Sequence, residues 1–272
     1  MNWKYAIASA GEAAERAAIV LRGPVEENLR RAAALGYDAL EVHLRPDAKL
    51  DLAGLRQIMA DTGCRISALV TGRLNTEMGA SLLAEDPARV ALAMDGMQRY
   101  IGLAAELKSD LILGWVHGNV PAGADRAGCM EQLAGRLGPL GTQAEQSGVR
   151  INLEVINRYE TNVFNTAEET VSFLERYRVP GCRVHLDSFH MNIDEADPIA
   201  AIERCRGRLG YFHLADNSRV YPGYGTIDFA ALLRALERIG YGGYLSVECF
   251  PWPSQEEAAR RALRNMQAIC RN

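Results

Sequence analysis

The chain has 272 residues, 48% of them hydrophobic and 24% charged, and a formal charge of −4 at neutral pH. That length buries a sizeable core without help, and it suits a closed α/β barrel, which typically takes roughly 250 residues. The mild acidity argues against a surface made for nucleic-acid phosphates or anionic lipid: Arg126, Arg136 and Arg150 are scattered, and Arg260 with Arg261 is an isolated pair in a mixed-charge helix.

The first predicted strand is YAIAS (5–9). The apolar run around it is broken by Glu12, Glu15 and Arg16, which excludes a signal peptide, and no later run is long enough to span a bilayer. VEENLRRAAALG (25–36) follows, with apolar residues at three- and four-residue spacing and a closing glycine suited to a helix C-cap. Strands are then expected at DALEVHL (38–44), RISALVTG (65–72), DLILGWVHG (110–118), RINLEVIN (150–157), CRVHLDSF (182–189) and LGYFHLADN (209–217). A second glycine-terminated helix, FAALLRALERIG (229–240), precedes the last strand, YLSVECF (244–250).

Alternation of strand and helix implies parallel strands joined by right-handed crossovers. Eight strands in this length imply one closed (β/α)8 TIM barrel occupying 1–272 as a single domain, with no linker-like interruption and no repeated sequence period. The six cysteines, Cys64, Cys129, Cys182, Cys205, Cys249 and Cys270, form no CxxC pair and read as reduced structural thiols, which fits a cytoplasmic protein.

Alternate residues of a strand face opposite sides. In the last four strands Leu153 and Val155, Val184 and Leu186, Phe212 and Leu214, and Leu245 and Val247 would pack outward against helices. The other parity, pointing into the barrel, holds Asn152 and Glu154, His185 and Asp187, Tyr211 and His213, and Ser246 and Glu248. Four successive strands thus bring Glu154, Asp187, His213 and Glu248 inward near their C-terminal ends, where barrels of this type keep their active sites.

Three converging carboxylates repel one another and are costly to desolvate, and near these ends the strands offer no Arg or Lys on the same parity. A divalent metal is the simplest counter-charge. Three carboxylates and an imidazole without thiolate form a hard donor set that suits Mn²⁺, with Co²⁺ or Mg²⁺ as the other candidates, and not a structural zinc. Glu41, His43 and His185, each taken singly, read as hydrogen-bonded barrel-layer residues.

At these residues the chain resembles a known family. LEVINRYETNVFNT (153–166), LDSFHMNIDE (186–195), FHLADNSRVYPGYGTIDF (212–229) and LSVECF (245–250) resemble the ketose 3-epimerases of the D-tagatose 3-epimerase type, in the xylose-isomerase-like barrel superfamily. NRYETN, ADNSRVYPGYG and SVEC look most like the branch that includes 5-keto-L-gluconate epimerases. The resemblance implies that Glu154, Asp187, His213 and Glu248 are metal ligands, with Glu154 and Glu248 as the acid/base pair. It implies that His190, Arg219 and Glu160 bind substrate, and that the chain is a homo-oligomer, a dimer or tetramer. Each of the three has a bland alternative: a solvated Arg in a turn-rich loop, a capping His, a salt-bridged loop Glu.

The implied reaction inverts C3 of a ketose or keto-sugar acid through a cis-enediolate. Arg73 and His117, placed after the third and fourth strands, are further candidates to meet a substrate carboxylate or hydroxyl. No phosphate cradle is evident, which favours a free sugar or sugar acid. Rival readings are an aldose–ketose or hydroxypyruvate-type isomerase on the same scaffold, an apurinic endonuclease, and a non-catalytic sugar-binding protein. Five histidines, one of them on the ligand pattern, and no basic stripe count against the endonuclease.

Overall fold

A computed structural model describes residues 2–270. The strands are β1 (Lys4–Ala10), β2 (Leu21–Arg22), β3 (Ala39–His43), β4 (Arg65–Val70), β5 (Asp110–Leu113), β6 (Ile151–Glu154), β7 (Cys182–Asp187), β8 (Leu209–Leu214) and β9 (Tyr244–Val247). Eight of them pair in chain order, all parallel, and β1 pairs with β9 to close the barrel. The ninth, β2, is a two-residue pairing of Leu21 and Arg22 with the end of β1, too short to leave a periodic signal in the sequence.

The side-chain parity divides the interior in two. Leu153, Val155, Val184, Leu186, Phe212, Leu214, Leu245 and Val247 join the large apolar layer between strands and helices. Ala68, Val70, Ile112 and Tyr211 form a small separate cluster inside the barrel. Each fully buried leucine of the outer layer contributes about 1.5–3 kcal/mol by leaving water. Below the mouth, Ser67 Oγ meets Tyr211 Oη at 2.7 Å and the Asn152 amide donates to Leu111 O at 3.0 Å, so the barrel is filled and not a channel.

Several strands stop before their apolar runs do. The run 110–118 ends as strand at Leu113, and Trp115–His117 form a 3-10 turn. The run 182–189 ends at Asp187, whose carboxylate accepts the Phe189 N–H at 2.7 Å and so begins the helix Ser188–Asp194. A side chain that can cap a helix competes with continued strand pairing, and here the cap prevails. β9 likewise ends at Val247, leaving Glu248 as the first residue beyond it.

The expected helices lie at Val25–Leu35 and Phe229–Arg238. The first ends on Gly36 at φ 92°, a left-handed conformation that glycine adopts without penalty, with its N–H on Ala32 O and Ala33 O. The second starts from Asp228, whose carboxylate accepts the Ala231 N–H, and buries Phe229, Leu232, Leu233 and Leu236. All six cysteines are free thiols. Among the described residues no helix is long and apolar enough to cross a membrane.

Candidate active site

Glu154, Asp187, His213 and Glu248 arrive from the ends of β6, β7, β8 and β9, and all four are buried. They meet around one ring nitrogen: His213 Nδ1 lies 3.9 Å from Glu154 Oε1, 3.8 Å from Asp187 Oδ2 and 3.7 Å from Glu248 Oε2. None of these is a hydrogen bond, and both His213 Nδ1 and Asp187 Oδ2 are buried without a partner. Buried polar atoms are nearly always satisfied, so two orphans facing one point indicate room for a ligand there. The donors are three carboxylates and an imidazole, and the groups close enough to share a metal ion each join two of the four to one neighbour: Glu154 and His213 with His185, His213 and Glu248 with Glu41, and Glu154 and Asp187 with His190. The set fits a hard divalent cation. Cys249, next in sequence to Glu248, is buried in the outer apolar layer, which keeps thiolate out of the donor set.

The electrostatics show what the cluster costs without a cation. Burial, and then the neighbouring Glu248, push the Glu154 carboxyl well above the usual range. Burial likewise raises Asp187 to about 6. For His213 burial alone would favour the neutral ring, but Glu41, Glu248 and Asp187 outweigh it and hold the imidazolium up to about 10.

Glu154 needs clearance as well as neighbours. A Cβ on Gly114, just past β5, would stand 2.5 Å from Glu154 Oε2, so only glycine leaves that carboxylate its place. On the other side, Arg219 reaches in from the loop after β8: its Nη2 donates to Glu248 Oε2 at 3.1 Å, its Nη1 lies 3.6 Å from Glu160 Oε1, and its guanidinium sits 4.8 Å over the Phe189 ring. The bland reading of a solvated loop arginine does not hold. Arg219 takes φ 57°, with its N–H on Asp216 O and its carbonyl accepting from Phe250 N, a constrained backbone of the kind found at functional sites.

His190 lies in the helix Ser188–Asp194, buried, with Nε2 3.8 Å from Asp187 Oδ2. Burial and the nearby Arg219 push its pKa well down, so it is neutral. The Asn157 amide donates to His190 Nδ1 at 2.7 Å and to Glu160 Oε1 at 2.9 Å, which leaves the His190 proton on Nε2, facing the cluster. Asn157 thereby ties two of the expected substrate contacts together, and it lies inside the motif 153–166, where an asparagine carries no distinguishing signal.

The site opens into a cavity of about 400 Å³, walled by His43, Trp115, Glu154, Glu160, His190, Arg219 and Glu248, among others. Its outer wall is the segment Glu12–Ile19. One side chain organises that segment: the Arg22 guanidinium donates to the carbonyls of Ala13, Glu15, Ala17 and Ile19.

Two expectations are corrected. His117 does not reach this cavity; it is fully buried, its Nδ1 bonded to Gly118 O at 2.6 Å and its ring edge-on to Phe164. Burial pushes its pKa down to about 4, and it borders a neighbouring polar cleft instead. Glu41 and His43 are hydrogen-bonded inside the barrel, as expected of layer residues: Glu41 Oε2 accepts from His213 Nε2 at 2.8 Å, and His43 Nε2 lies 3.1 Å from Glu41 Oε1 and 3.4 Å from Glu248 Oε1. They share the inward parity of the four later strands, which was the available signal. Arg73 does line the cavity, but Glu77 and the Glu12 carbonyl occupy its guanidinium. The second correction is His185: it sits in the barrel with its ring 4.2 Å from that of His213, but it is not hydrogen-bonded as expected, since both its nitrogens are buried without a partner.

The sequence pattern of the xylose isomerase-like TIM barrel matches residues 29–269. The chain belongs to that family. Among its relatives, the L-ribulose 3-epimerase of Methylomonas sp. (strain DH-1) is 31% identical over 244 residues, 89% of this chain and 82% of that one. The ketose 3-epimerase of Arthrobacter globiformis is 31% identical over 231 residues, 83% of this chain and 78% of that one. The crystal structure of D-allulose 3-epimerase from Methylomonas sp. in complex with D-allulose matches with a TM-score of 0.79 at 25% identity over 99% of each chain. This member of the xylose isomerase-like family is accordingly an enzyme of the isomerase class, among the racemases and epimerases.

Proposed function

We propose that the protein inverts C3 of a ketose or keto-sugar acid, with Glu154 and Glu248 as the proton-transferring pair. The observation that carries the reading is the meeting of these two carboxylates, from β6 and β9, beside the orphaned Asp187 Oδ2 and His213 Nδ1 at the floor of one cavity. A divalent cation held by Glu154, Asp187, His213 and Glu248, Mn²⁺ in preference to Co²⁺ or Mg²⁺, supplies when bound the Lewis acidity that makes a proton beside a carbonyl removable.

The chain's own groups do the rest. One glutamate takes the C3 proton from one face of the sugar, the other returns a proton to the opposite face, and the roles exchange with the handedness of C3. Arg219 holds Glu248 through Nη2 and presents its charge beside the enediolate oxygens. Neutral His190 offers its Nε2 proton to a substrate oxygen, and Glu160, fixed by Asn157, accepts from a hydroxyl. Arg219 is engaged by Glu248 and Glu160, and Arg73 by Glu77, so neither stands free to cradle a phosphate, which favours an unphosphorylated sugar or sugar acid.

The test is incubation of the Mn²⁺-loaded protein in D₂O with ketopentoses, ketohexoses and 5-keto-gluconates, followed by NMR. Deuterium entering C3 as the epimer forms is the expected result. Label at C1 or C2 with an aldose product would replace this reading by an aldose–ketose isomerase.

A further inference from the structure

We propose that Glu41 is a positioning residue that fixes the tautomer of His213 and so sets the cluster's affinity for its cation. The inference rests on the metal-binding reading above and adds a residue from the opposite side of the barrel. Glu41 is on β3 and His213 on β8, strands that do not pair with each other, so their contact crosses the interior. The pairing of β3 with β4 shifts register between Leu40 and Glu41, an irregularity of the kind that re-aims a side chain.

Glu41 is fully buried, and both of its carboxylate oxygens are used: Oε2 accepts from His213 Nε2 at 2.8 Å and Oε1 faces His43 Nε2 at 3.1 Å. An ionised carboxylate only accepts hydrogen bonds. Nε2 of His213 must therefore carry the proton, and in the neutral ring the lone pair falls on Nδ1, the atom surrounded by Glu154, Asp187 and Glu248. A cation ligand needs that lone pair, and a carboxylate behind the ring also strengthens it as a donor.

A role in stability alone would predict something different. If Glu41 merely paired a buried charge, exchanging it for an isosteric neutral group would alter folding and leave the tautomer of a folded protein unaffected. Glutamine has almost the same shape, but its amide can donate to Nε2 as readily as its carbonyl accepts from it. Glu41→Gln therefore removes the selection between the two ring nitrogens while keeping the packing.

Two measurements test this. In the wild-type protein carrying ¹⁵N-labelled histidine and loaded with diamagnetic Mg²⁺, long-range ¹⁵N–¹H correlation is expected to show His213 protonated at Nε2 only; a proton on Nδ1, or an even mixture, overturns the proposal without any variant. In Glu41→Gln, Mn²⁺ affinity measured by electron paramagnetic resonance of the free ion is expected to fall by about 10–100-fold, the range typical of such supporting residues. Without cation, at a pH where the ring is neutral, His213 of this variant is expected to show both tautomers; circular dichroism is expected to stay close to wild type, while cation-free melting falls because Glu41 also pairs the protonated ring. Glu41→Asp, which keeps the charge one methylene further back, is expected to fall between wild type and Glu41→Gln in affinity and to retain the Nε2 tautomer. Unchanged Mn²⁺ affinity in folded Glu41→Gln overturns the inference alone; wild-type protein that binds neither ion overturns the metal reading beneath it.

Discussion

Replacing Glu154 by glutamine should make the cation-free protein more stable and the enzyme inactive. In the cation-free fold the Glu154 carboxyl is raised well above its ordinary 4.5 by burial and by Glu248. A group whose folded-state pKa is raised contributes most below its unfolded value, and that contribution is lost as pH climbs toward the folded one. At pH 7 the loss is bounded by the 2.5 units between 4.5 and 7, which at 1.36 kcal/mol per unit is at most about 3 kcal/mol. Glutamine escapes it, so in EDTA at pH 7 Glu154→Gln is expected to melt up to about 6 °C above wild type, at roughly 2 °C per kcal/mol for a chain of this length. The difference should shrink toward zero as the pH is lowered to 4.5. Mn²⁺ at about 1,000 times the wild-type dissociation constant should reverse the order, because it stabilises wild type by about 4.1 kcal/mol, more than the variant's advantage, and a variant lacking one ligand by far less. Deuterium exchange at C3 should fall by at least about 10²–10⁴-fold, the usual share of a proton-transferring group. A Glu154→Gln variant that melts below wild type in EDTA at pH 7 would refute the view that this carboxylate is buried without adequate compensation.

Three other outcomes follow from the same geometry. Gly114→Ala places a methyl group 2.5 Å from Glu154 Oε2, and because displacement of a reacting group by about 1 Å can cost 10²-fold, C3 exchange should drop by that order while circular dichroism is unchanged; wild-type exchange would show that Glu154 relaxes freely. Binding of Mn²⁺ must displace protons from His213, held up to about 10, and from Asp187, raised to about 6, so affinity should rise with pH throughout and fall most steeply below pH 6; calorimetry in buffers of different ionisation enthalpy should register proton release, and none would contradict the assignment. Arg219→Lys keeps the charge but cannot serve Glu248 and Glu160 together, so kcat/KM for C3 exchange should fall by roughly 10-fold or more, a charge-assisted hydrogen bond being worth about 1.5–3 kcal/mol, with Mn²⁺ affinity nearly unaffected.

The barrel was legible because its strands are short, separated by helices, and mark inside from outside by parity. Leu186 and Leu214 against Asp187 and His213 announce the outer apolar layer and the inner polar one in adjacent letters. Strand ends were less legible. An apolar run such as 110–118 continues through Trp115, exposed beside the cavity, and Val116, buried in the core, and nothing in their hydrophobicity distinguishes turn from strand. The partner of Glu41 was illegible for a related reason. Taken alone, an acidic residue on an inward position reads as a layer filler, and its meaning appears only across the barrel, 172 residues from His213. Arg22 is a similar case, since a guanidinium that gathers four carbonyls of its own loop leaves no motif.

These particulars explain how one barrel mouth tolerates so much negative charge. No Lys or Arg of a strand lines the mouth, and the loops make up for it: Arg219 is carried in from beyond β8 on a constrained backbone, where the side chain can reach Glu248 and Glu160 without belonging to any strand. His213 supplies a second positive charge when no cation is present, and Glu41 keeps the ring oriented in either case. Binding a cation would exchange a proton on His213 for a divalent charge at nearly the same place, so the fold needs no rearrangement to accept it. The residual mismatch, visible in Glu154 and Asp187, is the part of the electrostatic cost left for the cation to remove, and it is why stability and cation affinity should move in opposite directions when Glu154 is changed.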